Sequence, residues 1–179
     1  MNILADNFRL HKYGLDVRFV TEDDAPFIVN LRTNPDLSKF LHPISSDIDK
    51  QKEWIRSYKQ RQAEGKDYYF VFSKDMEPLG LERIYDIQKD SFTHGSLVFK
   101  QSSPIGTSVL ADIITREIAF EELGLQKNYF DVRKGNVNVR NYHLKYKPLF
   151  IRSDAESDYY LLERNNFEKY KNLFLKLFI

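Results

Sequence analysis

The sequence lacks cysteine altogether and contains only 7 glycines and 6 prolines among its 179 residues. The absence of cysteine excludes disulfide bonds, thiolate metal sites and a cysteine nucleophile, and it fits a cytoplasmic protein. No apolar run approaches the ~20 residues of a membrane span, and the charged N-terminus has no apolar signal-peptide core. Neither sign of charge dominates, with 27 Lys+Arg against 26 Asp+Glu, so we expect no general nucleic-acid binder.

Aromatic residues are abundant, with 14 Phe and 11 Tyr, and they predict an aromatic-rich core. The length fits one domain, so we expect residues 1–179 to form a single domain, with 166–179 as a C-terminal packing or dimer helix. Five large apolar residues recur in this tail at helical spacing: Phe167, Tyr170, Phe174, Leu177 and Phe178. Such a stripe packs on its own domain, on a second copy in a homodimer, or on a membrane surface.

The stretch Ser103–Gly124 organises the chain. A Ser/Pro/Gly loop follows the strand-like Gly95–Lys100 and leads into a helical pattern of apolar residues that ends at Gly124. A strand, a glycine turn and a helix N-terminus bring free backbone N–H groups together, and this arrangement binds phosphate. The alternative is that the loop only connects two elements.

Hydrophobic periodicity predicts the other elements. The predicted strands are Leu15–Val20, Tyr68–Ser73, Pro78–Ile87, Phe92–Phe99, Asn128–Arg133, Phe150–Arg152 and Tyr159–Glu163. The predicted helices are one carrying Phe27, Ile28 and Leu31 that ends at Asn34-Pro35, one from Ser45 or Ser46 to about Ala63, the one within Ser103–Gly124, and one over Asn136–Tyr146. Short turns favour antiparallel strands in the middle. The order β-α-α-β-β-β-α-β-α-β-β therefore predicts an α/β (α+β) fold with a mixed, mostly antiparallel sheet and flanking helices.

Several motifs fall in a familiar order along these elements. They are Leu31-Arg32-x-Asn34-Pro35, Gln51-x-Glu53-Trp54-Ile55, Ser103-Pro-Ile-Gly-Thr-Ser108, Ala119–Leu125, Val132-Arg-Lys-Gly-Asn136 and Tyr142-His143. Together they resemble the GNAT acetyltransferase superfamily, in the branch that acts on protein N-termini, polyamines or nucleotide-linked amino sugars. Ser103 departs from the basic residue of the usual acyl-CoA loop, and Lys147-Pro148 stands where the family has Gly-Phe.

The resemblance implies acetyl-CoA as co-substrate and no metal. It places the thioester beside the strand that ends at Leu97–Phe99, and the pyrophosphate on the N–H groups at the start of the central helix. The residues implied to bind acetyl-CoA are Leu97, Val98, Phe99, Ser103, Gly106, Thr107, Ser108 and Asn136.

Acetyl transfer to an amine requires that the ammonium lose a proton and that the departing thiolate gain one. His143 stands where the family often has the tyrosine that protonates the sulfur, and Tyr142 is the alternative acid. Glu82 and Asp86 are candidate bases, since period two places them on one face of a strand. His94 is a third candidate base. For each carboxylate the alternative is a salt bridge.

The acceptor side is implied, by analogy with the related branch, to involve Arg32, Asn34, Phe40, Trp54, Asp86 and His94. An arginine near aromatics suits a nucleotide phosphate and base. Alternatively, Trp54 belongs to the core and Arg32 to a surface ion pair. His11 and His42 are expected at the surface or in loops.

The leading hypothesis is acetyl-CoA-dependent N-acetylation of a small primary amine, and specifically of a nucleotide-linked amino sugar. Acetylation of protein N-termini is the alternative within the same chemistry. A module that binds acyl-CoA without turnover is the alternative from another class. The expected partners are a small-molecule amine and, through the apolar stripe of the C-terminal tail, a second copy of the chain in a homodimer.

Overall fold

The computed structural model describes residues 2–179, in which eight strands form one sheet. The strands are β1 (Arg9–Lys12), β2 (Leu15–Phe19), β3 (Tyr68–Lys74), β4 (Glu77–Tyr85), β5 (Ser91–Phe99), β6 (Lys127–Arg133), β7 (Leu149–Ser153) and β8 (Ser157–Glu163). Their order across the sheet is β1-β2-β3-β4-β5-β6-β8-β7. The mixed sheet is confirmed, because β5 and β6 pair in parallel while the other neighbours are antiparallel. The short β1, which pairs with β2, was not predicted.

The helices are α1 (Ala25–Thr33), α2 (Pro35–Ser38), α3 (Ile48–Ala63), α4 (Thr107–Glu117), α5 (Val137–Leu144), α6 (Arg164–Tyr170) and α7 (Asn172–Phe178). The predicted cap of α3 at Ser45 or Ser46 is wrong. Asp47 caps this helix, because its carboxylate accepts hydrogen bonds from the first backbone N–H groups, those of Asp49 and Lys50. The central helix is shorter than predicted, since a π-helical turn replaces its last part at Ile118–Glu122.

Apolar side chains cover both faces of the sheet. Along β3, Phe70 and Phe72 belong to the cluster under α4, whereas Tyr69 and Val71 belong to the cluster under α1 and α3. A strand buried on both faces reads as a continuous apolar run instead of an alternating one, and that is the pattern of Tyr68–Phe72. The rings of the first cluster contact one another, as Phe92 and Phe120 do at 5.3 Å between centroids.

The parallel pair β5–β6 is short, and this shapes the rest of the molecule. Only Ser91–Thr93 pairs with Lys127–Tyr129. Beyond these three residue pairs β5 continues to Phe99 along β4, and β6 continues to Arg133 along β8, but β5 and β6 no longer pair with each other. The two strands therefore diverge and leave a wedge-shaped opening in the sheet. In the sequence, α4 follows β5 and α5 follows β6.

The C-terminal tail forms two short helices, α6 and α7, that pack on their own domain. Phe167 is fully buried and its ring lies 5.3 Å from that of Phe120. Phe174 of α7 packs on Tyr142 of α5, with centroids 4.8 Å apart. Leu177 is 70% exposed, so the predicted stripe is only partly buried. The homodimer contact stays a prediction. Within residues 2–179, no helix combines the length and the apolar character that crossing a bilayer requires.

Replacing Phe167 by Ala should lower the free energy of unfolding by about 3–5 kcal/mol, because it removes a fully buried aromatic ring and leaves a cavity. Replacing the exposed Leu177 by Ala is the matched control in the same tail and should change it by no more than about 0.5 kcal/mol. Urea denaturation followed by circular dichroism measures both. Equal effects of the two substitutions would show that the tail does not pack as described.

Candidate active site

A cavity of about 270 Å³ fills the opening between β5 and β6. We call it the wedge cavity. Gly95, Ser96 and Leu97 line it from β5, and Asp131–Arg133 lines it from β6. His143 and Asn136, at α5, contribute to the same wall. The wedge thus exposes two strand edges to a single enclosed space, where an extended chain-like ligand can contact both.

A β-bulge lies at the mouth of this cavity. Leu81 pairs with Val98 but Arg83 pairs with Gly95, so β5 carries one residue more than β4 over this interval. Ser96, inside the bulge, has a left-handed backbone with φ 58°. A bulge leaves backbone polar groups outside the ladder, and here the bulged residues line the wedge cavity.

The loop before α4 has the features of an anion site. Gly106 has φ 86° and directly precedes the helix, whose first N–H groups have no partner within the helix; of these, Thr107 N–H donates to the Pro104 carbonyl at 3.1 Å. Among residues 2–179, the buried hydroxyl of Ser103 finds no hydrogen-bond partner. Thr107 is buried at the first position of the helix, and Ser108 follows it. These observations fit a phosphate-bearing group.

Two of the residues implied to bind the cofactor face elsewhere. Val98 is buried in the cluster under α1 and α3, and Phe99 packs against the cluster under α4, so only their backbone remains available. Leu97 is the member of the trio that lines the wedge cavity. A Cβ on Gly106 would lie 2.3 Å from the ring of Phe178, so the tail closely covers one side of this loop.

A buried arginine lies at the base of the wedge. Arg116 of α4 is completely buried, and its Nη1 donates to Asp112 Oδ2 at 2.5 Å. Its Nε donates to Asn128 Oδ1 at 3.0 Å. Its Nη2 lies 3.0 Å from His143 Nδ1 and 3.2 Å from His94 Nε2. One guanidinium therefore connects α4, β5, β6 and α5.

This arrangement fixes the protonation of His143. Because Arg116 donates to Nδ1, the ring hydrogen is on Nε2. Burial and the Arg116 charge hold the pKa of His143 well below its usual range, and they lower the pKa of His94. Burial opposes ionisation of Asp112, but the neighbouring Arg116 keeps the pKa of that carboxyl below its ordinary value. The site therefore contains neutral imidazoles beside an ion pair.

The ligand atoms of His94, Asp112 and His143 lie within 4.8 Å of one another. This spacing suits a metal ion. However, the guanidinium of Arg116 contacts all three side chains, and its positive charge disfavours a cation among them. His94, Asp112 and His143 are therefore better described as the partners of Arg116 than as metal ligands.

Glu82, a candidate base, is not among the residues that line the wedge cavity. Its side chain is completely buried on the side of β4 that faces α4, where Thr115 Oγ1 donates to Glu82 Oε2 at 2.7 Å. Burial and the nearby Asp112 raise the pKa of Glu82 well above its ordinary value. Asp86 lies beyond the end of β4 with φ 49°, is exposed, and lines a separate surface groove.

Two further candidate residues make hydrogen bonds within the protein. The Tyr142 hydroxyl donates to Asp112 Oδ2 at 2.5 Å, and burial together with Asp112 raises the pKa of Tyr142 well above its ordinary value. Its proton is thus held by the carboxylate and is poorly placed for a thiolate. Asn34 caps α2, where its side chain accepts from Asp36 N at 2.9 Å, so it has a structural role.

A second cavity, of about 550 Å³, adjoins the first on the α1 and α3 side of the sheet. The two cavities share Arg32, His42, Tyr85 and Ser96.

Trp54 lines the second cavity, whereas Phe40 lines the wedge cavity. His42 is a loop residue as expected, but its backbone carbonyl accepts from Arg32 Nη2 at 2.8 Å. His94 lies in the buried cluster described above and also lines the wedge cavity.

The second cavity is cationic, and we call it the cationic cavity. Arg32, Lys50 and Arg83 line it, and within residues 2–179 no aspartate or glutamate does. Aromatic walls come from Trp54, Tyr69 and Tyr85. Sequence reasoning missed Arg83 and Tyr85, although both follow from period two: they lie on the face of β4 opposite Glu82. It also missed Asp131, an exposed residue of β6 that lines the wedge cavity.

The chain resembles known acetyltransferases in sequence and structure. A family model described as "Acetyltransferase (GNAT) domain" matches residues 15–147. A solved structure described as apo FdhC, a nucleotide-linked sugar GNAT, has a TM-score of 0.85 and 33% identity, and the match covers 97% of this chain and 99% of that chain. No curated protein sequence matches.

More distant structures share the fold. Spermidine N-acetyltransferase from Vibrio cholerae, in complex with CoA and spermine, has a TM-score of 0.72 at 16% identity, over 88% of this chain and 99% of that one. Ribosomal-protein-S5-alanine acetyltransferase from Vibrio fischeri has a TM-score of 0.70 at 16% identity, over 88% and 96%. From the family model and the similarity to FdhC, we conclude that this chain belongs to the GNAT family and is an N-acetyltransferase.

Proposed function

We propose that this enzyme transfers an acetyl group from acetyl-CoA to the primary amine of a nucleotide-linked amino sugar. The observation that carries the proposal is the cationic cavity beside the wedge, which combines Arg32, Lys50 and Arg83 with aromatic walls. Its charge attracts a diphosphate, and its aromatic side chains suit a nucleobase. The 33% identity to FdhC, a nucleotide-linked sugar GNAT, supports the same substrate class.

A polyamine is a poor match for this cavity. Polyamines carry several positive charges, and their recognition requires carboxylates, whereas the lining residues here contribute cations. A protein N-terminus is also positively charged, and it carries no anionic group that several of the lining cations could bind. Charge complementarity therefore favours an anionic acceptor over both alternatives.

Acetyl-CoA supplies an acetyl thioester, whose carbonyl carbon the acceptor amine attacks. The wedge suits its extended arm, because the unpaired edges of β5 and β6 offer backbone hydrogen bonds there. The Gly106 loop and the N-terminus of α4 suit its pyrophosphate. The chain thus offers acetyl-CoA and the acceptor separate cavities that meet at Tyr85 and Ser96.

In this proposal His143 donates a hydrogen bond from Nε2 to the departing sulfur. A neutral imidazole with Nδ1 occupied by Arg116 can donate this hydrogen bond, which stabilises the thiolate, and the thiolate then takes up its proton from solvent. Asp131 replaces Glu82 as the group that receives the amine proton, directly or through water. Asp131 lies on β6 and lines the wedge cavity, and Ser157 Oγ donates to its Oδ2 at 2.8 Å.

The substrate class is tested with wild-type enzyme. Calorimetry should detect acetyl-CoA binding, and a free-thiol assay should then give a kcat/KM for a nucleotide-linked amino sugar at least about a hundredfold above that for spermidine or an alanine-terminated peptide, since charge selects the anionic acceptor. A preference for spermidine or the peptide would contradict the proposed acceptor. Binding of acetyl-CoA without release of free thiol in the presence of any of these amines would support the non-catalytic module.

His143→Ala should lower kcat by about ten- to a thousandfold, because the departing sulfur loses the hydrogen bond that stabilises its negative charge, while His11→Ala, at the exposed surface, should leave kcat unchanged. Because burial keeps the pKa of His143 below its usual range, the residue is neutral at and above pH 6.5. Wild-type kcat should therefore show no fall between pH 6.5 and 8 from deprotonation of this ring. Such a fall, abolished in His143→Ala, would mean that His143 acts as an imidazolium acid.

Asp131→Asn should lower kcat by about a hundredfold near pH 7 and leave the KM for acetyl-CoA within about threefold, because the amide cannot accept the amine proton. Glu82→Gln is the informative comparison. It alters the carboxyl group that is buried under α4, so it should affect thermal stability more than kcat. A larger loss of kcat in Glu82→Gln than in Asp131→Asn would contradict this assignment.

A further inference from the structure

Asp67 is a buried carboxylate that two arginines share. It is 2% exposed and lies just before β3. Arg61 Nε donates to its Oδ2 at 3.0 Å, and Arg83 Nε donates to its Oδ1 at 2.7 Å. Arg83 Nη2 also donates to Oδ2. The Arg83–Asp67 pair is thus bidentate, the geometry that fixes an arginine plane most firmly.

Two aromatic rings lie near the guanidinium of Arg83. The guanidinium carbon of Arg83 lies 5.1 Å from the ring centroid of Trp54 and 4.9 Å from that of Tyr85. Stacking and the bidentate ion pair together leave the side chain little rotational freedom. Asp67 accepts from the N–H of Nε and from one N–H of Nη2, which leaves the second N–H of Nη2 and both N–H groups of Nη1 for another acceptor. Arg83 lines the cationic cavity.

Two other polar groups line this cavity and suit an anionic ligand. Within residues 2–179, the hydroxyl of Tyr69, a residue that is 2% exposed, and Nε of Arg32 are both buried and make no hydrogen bond. The two side chains adjoin, since the Arg32 charge partly offsets the effect of burial on the pKa of Tyr69. Both residues line the same cavity as Arg83. Burial raises the pKa of Tyr69, so its hydroxyl keeps its proton. Buried polar groups in native proteins are rarely left without partners, and all of these groups are donors.

We propose that Arg83, Arg32 and Tyr69 form the subsite that binds the diphosphate of the acceptor, and that Asp67 is the positioning residue for Arg83. This inference rests on the proposed function, since it assigns a part of the nucleotide-linked acceptor to particular side chains. Arginine suits a phosphate because its planar fork presents paired N–H donors. Holding the fork in place beforehand reduces the ordering cost of binding.

Arg61 provides a matched control for Arg83. Both side chains contact Asp67, and both lie near the Trp54 ring, at 5.5 Å for Arg61. Only Arg83 lines the cationic cavity, whereas both line the separate surface groove. Both substitutions remove an ion pair to Asp67, with two hydrogen bonds to that carboxylate lost in Arg83→Gln and one in Arg61→Gln, so thermal unfolding should report a loss of stability in each variant and a larger one in the first. Only the first change removes a proposed phosphate donor.

Calorimetric titration of the full-length protein with thymidine 5′-diphosphate and with uridine 5′-diphosphate measures the subsite without turnover. Arg83→Gln should raise the Kd by about ten- to a hundredfold, the scale of a lost charge-assisted hydrogen bond, and Arg61→Gln should change it by no more than about threefold. Equal changes in the two variants, or an unchanged Kd in Arg83→Gln, would overturn the assignment. So would wild-type protein that binds neither diphosphate.

Asp67→Asn tests the positioning role by kinetics. It should raise the KM for a nucleotide-linked amino sugar several-fold while kcat and the KM for acetyl-CoA stay within about twofold, because the reacting groups are untouched. A parallel loss in kcat would indicate a general structural role and contradict the positioning role. Wild-type enzyme that turns over only a nucleotide-free amine would instead refute the proposed function, which separates the two failures.

Discussion

The buried pair of Arg116 and Asp112 is the interaction on which the rest of the site depends. A charge that is fully removed from water is costly unless it is paired and hydrogen-bonded, and here the guanidinium contacts groups on four elements around the wedge. The pair therefore ties α4 to β5, β6 and α5 at the point where the two strands separate. Removing either partner would leave an uncompensated buried charge, and the walls of the wedge would lose their common support.

Because the buried ion pair occupies one side of the sheet, the two cavities offer different chemical environments. One side of the sheet holds the ion pair with its neutral imidazoles, and the other side carries the cations and aromatic rings of the cationic cavity. The strands alternate their side chains between these environments, so β4 contributes Glu82 to the first and Arg83 to the second. Burial makes the first environment rigid and uncharged overall, whereas the second keeps a net positive charge that suits an anionic acceptor.

Much of the fold could be predicted from the sequence, because the apolar periodicities of the central elements are strong. The antiparallel β3–β5 region, the loop before α4 and the short helix α5 all occur near their predicted positions. The site was harder to predict, because which face of β4 meets the cleft depends on the tertiary packing of α4 and α3. Glu82 was chosen as a carboxylate, yet its face is covered by α4. Arg83 was missed, since only the folded chain brings Asp67 and Trp54 to it.

The most direct test is a crystal structure of the wild-type enzyme with CoA and thymidine 5′-diphosphate bound together. The account predicts that the pantetheine arm lies between β5 and β6, that the CoA pyrophosphate lies at the Gly106 loop, and that the diphosphate of the nucleotide contacts Arg83 in the cationic cavity. A CoA molecule bound outside the wedge, or a nucleotide bound away from Arg83, would contradict it.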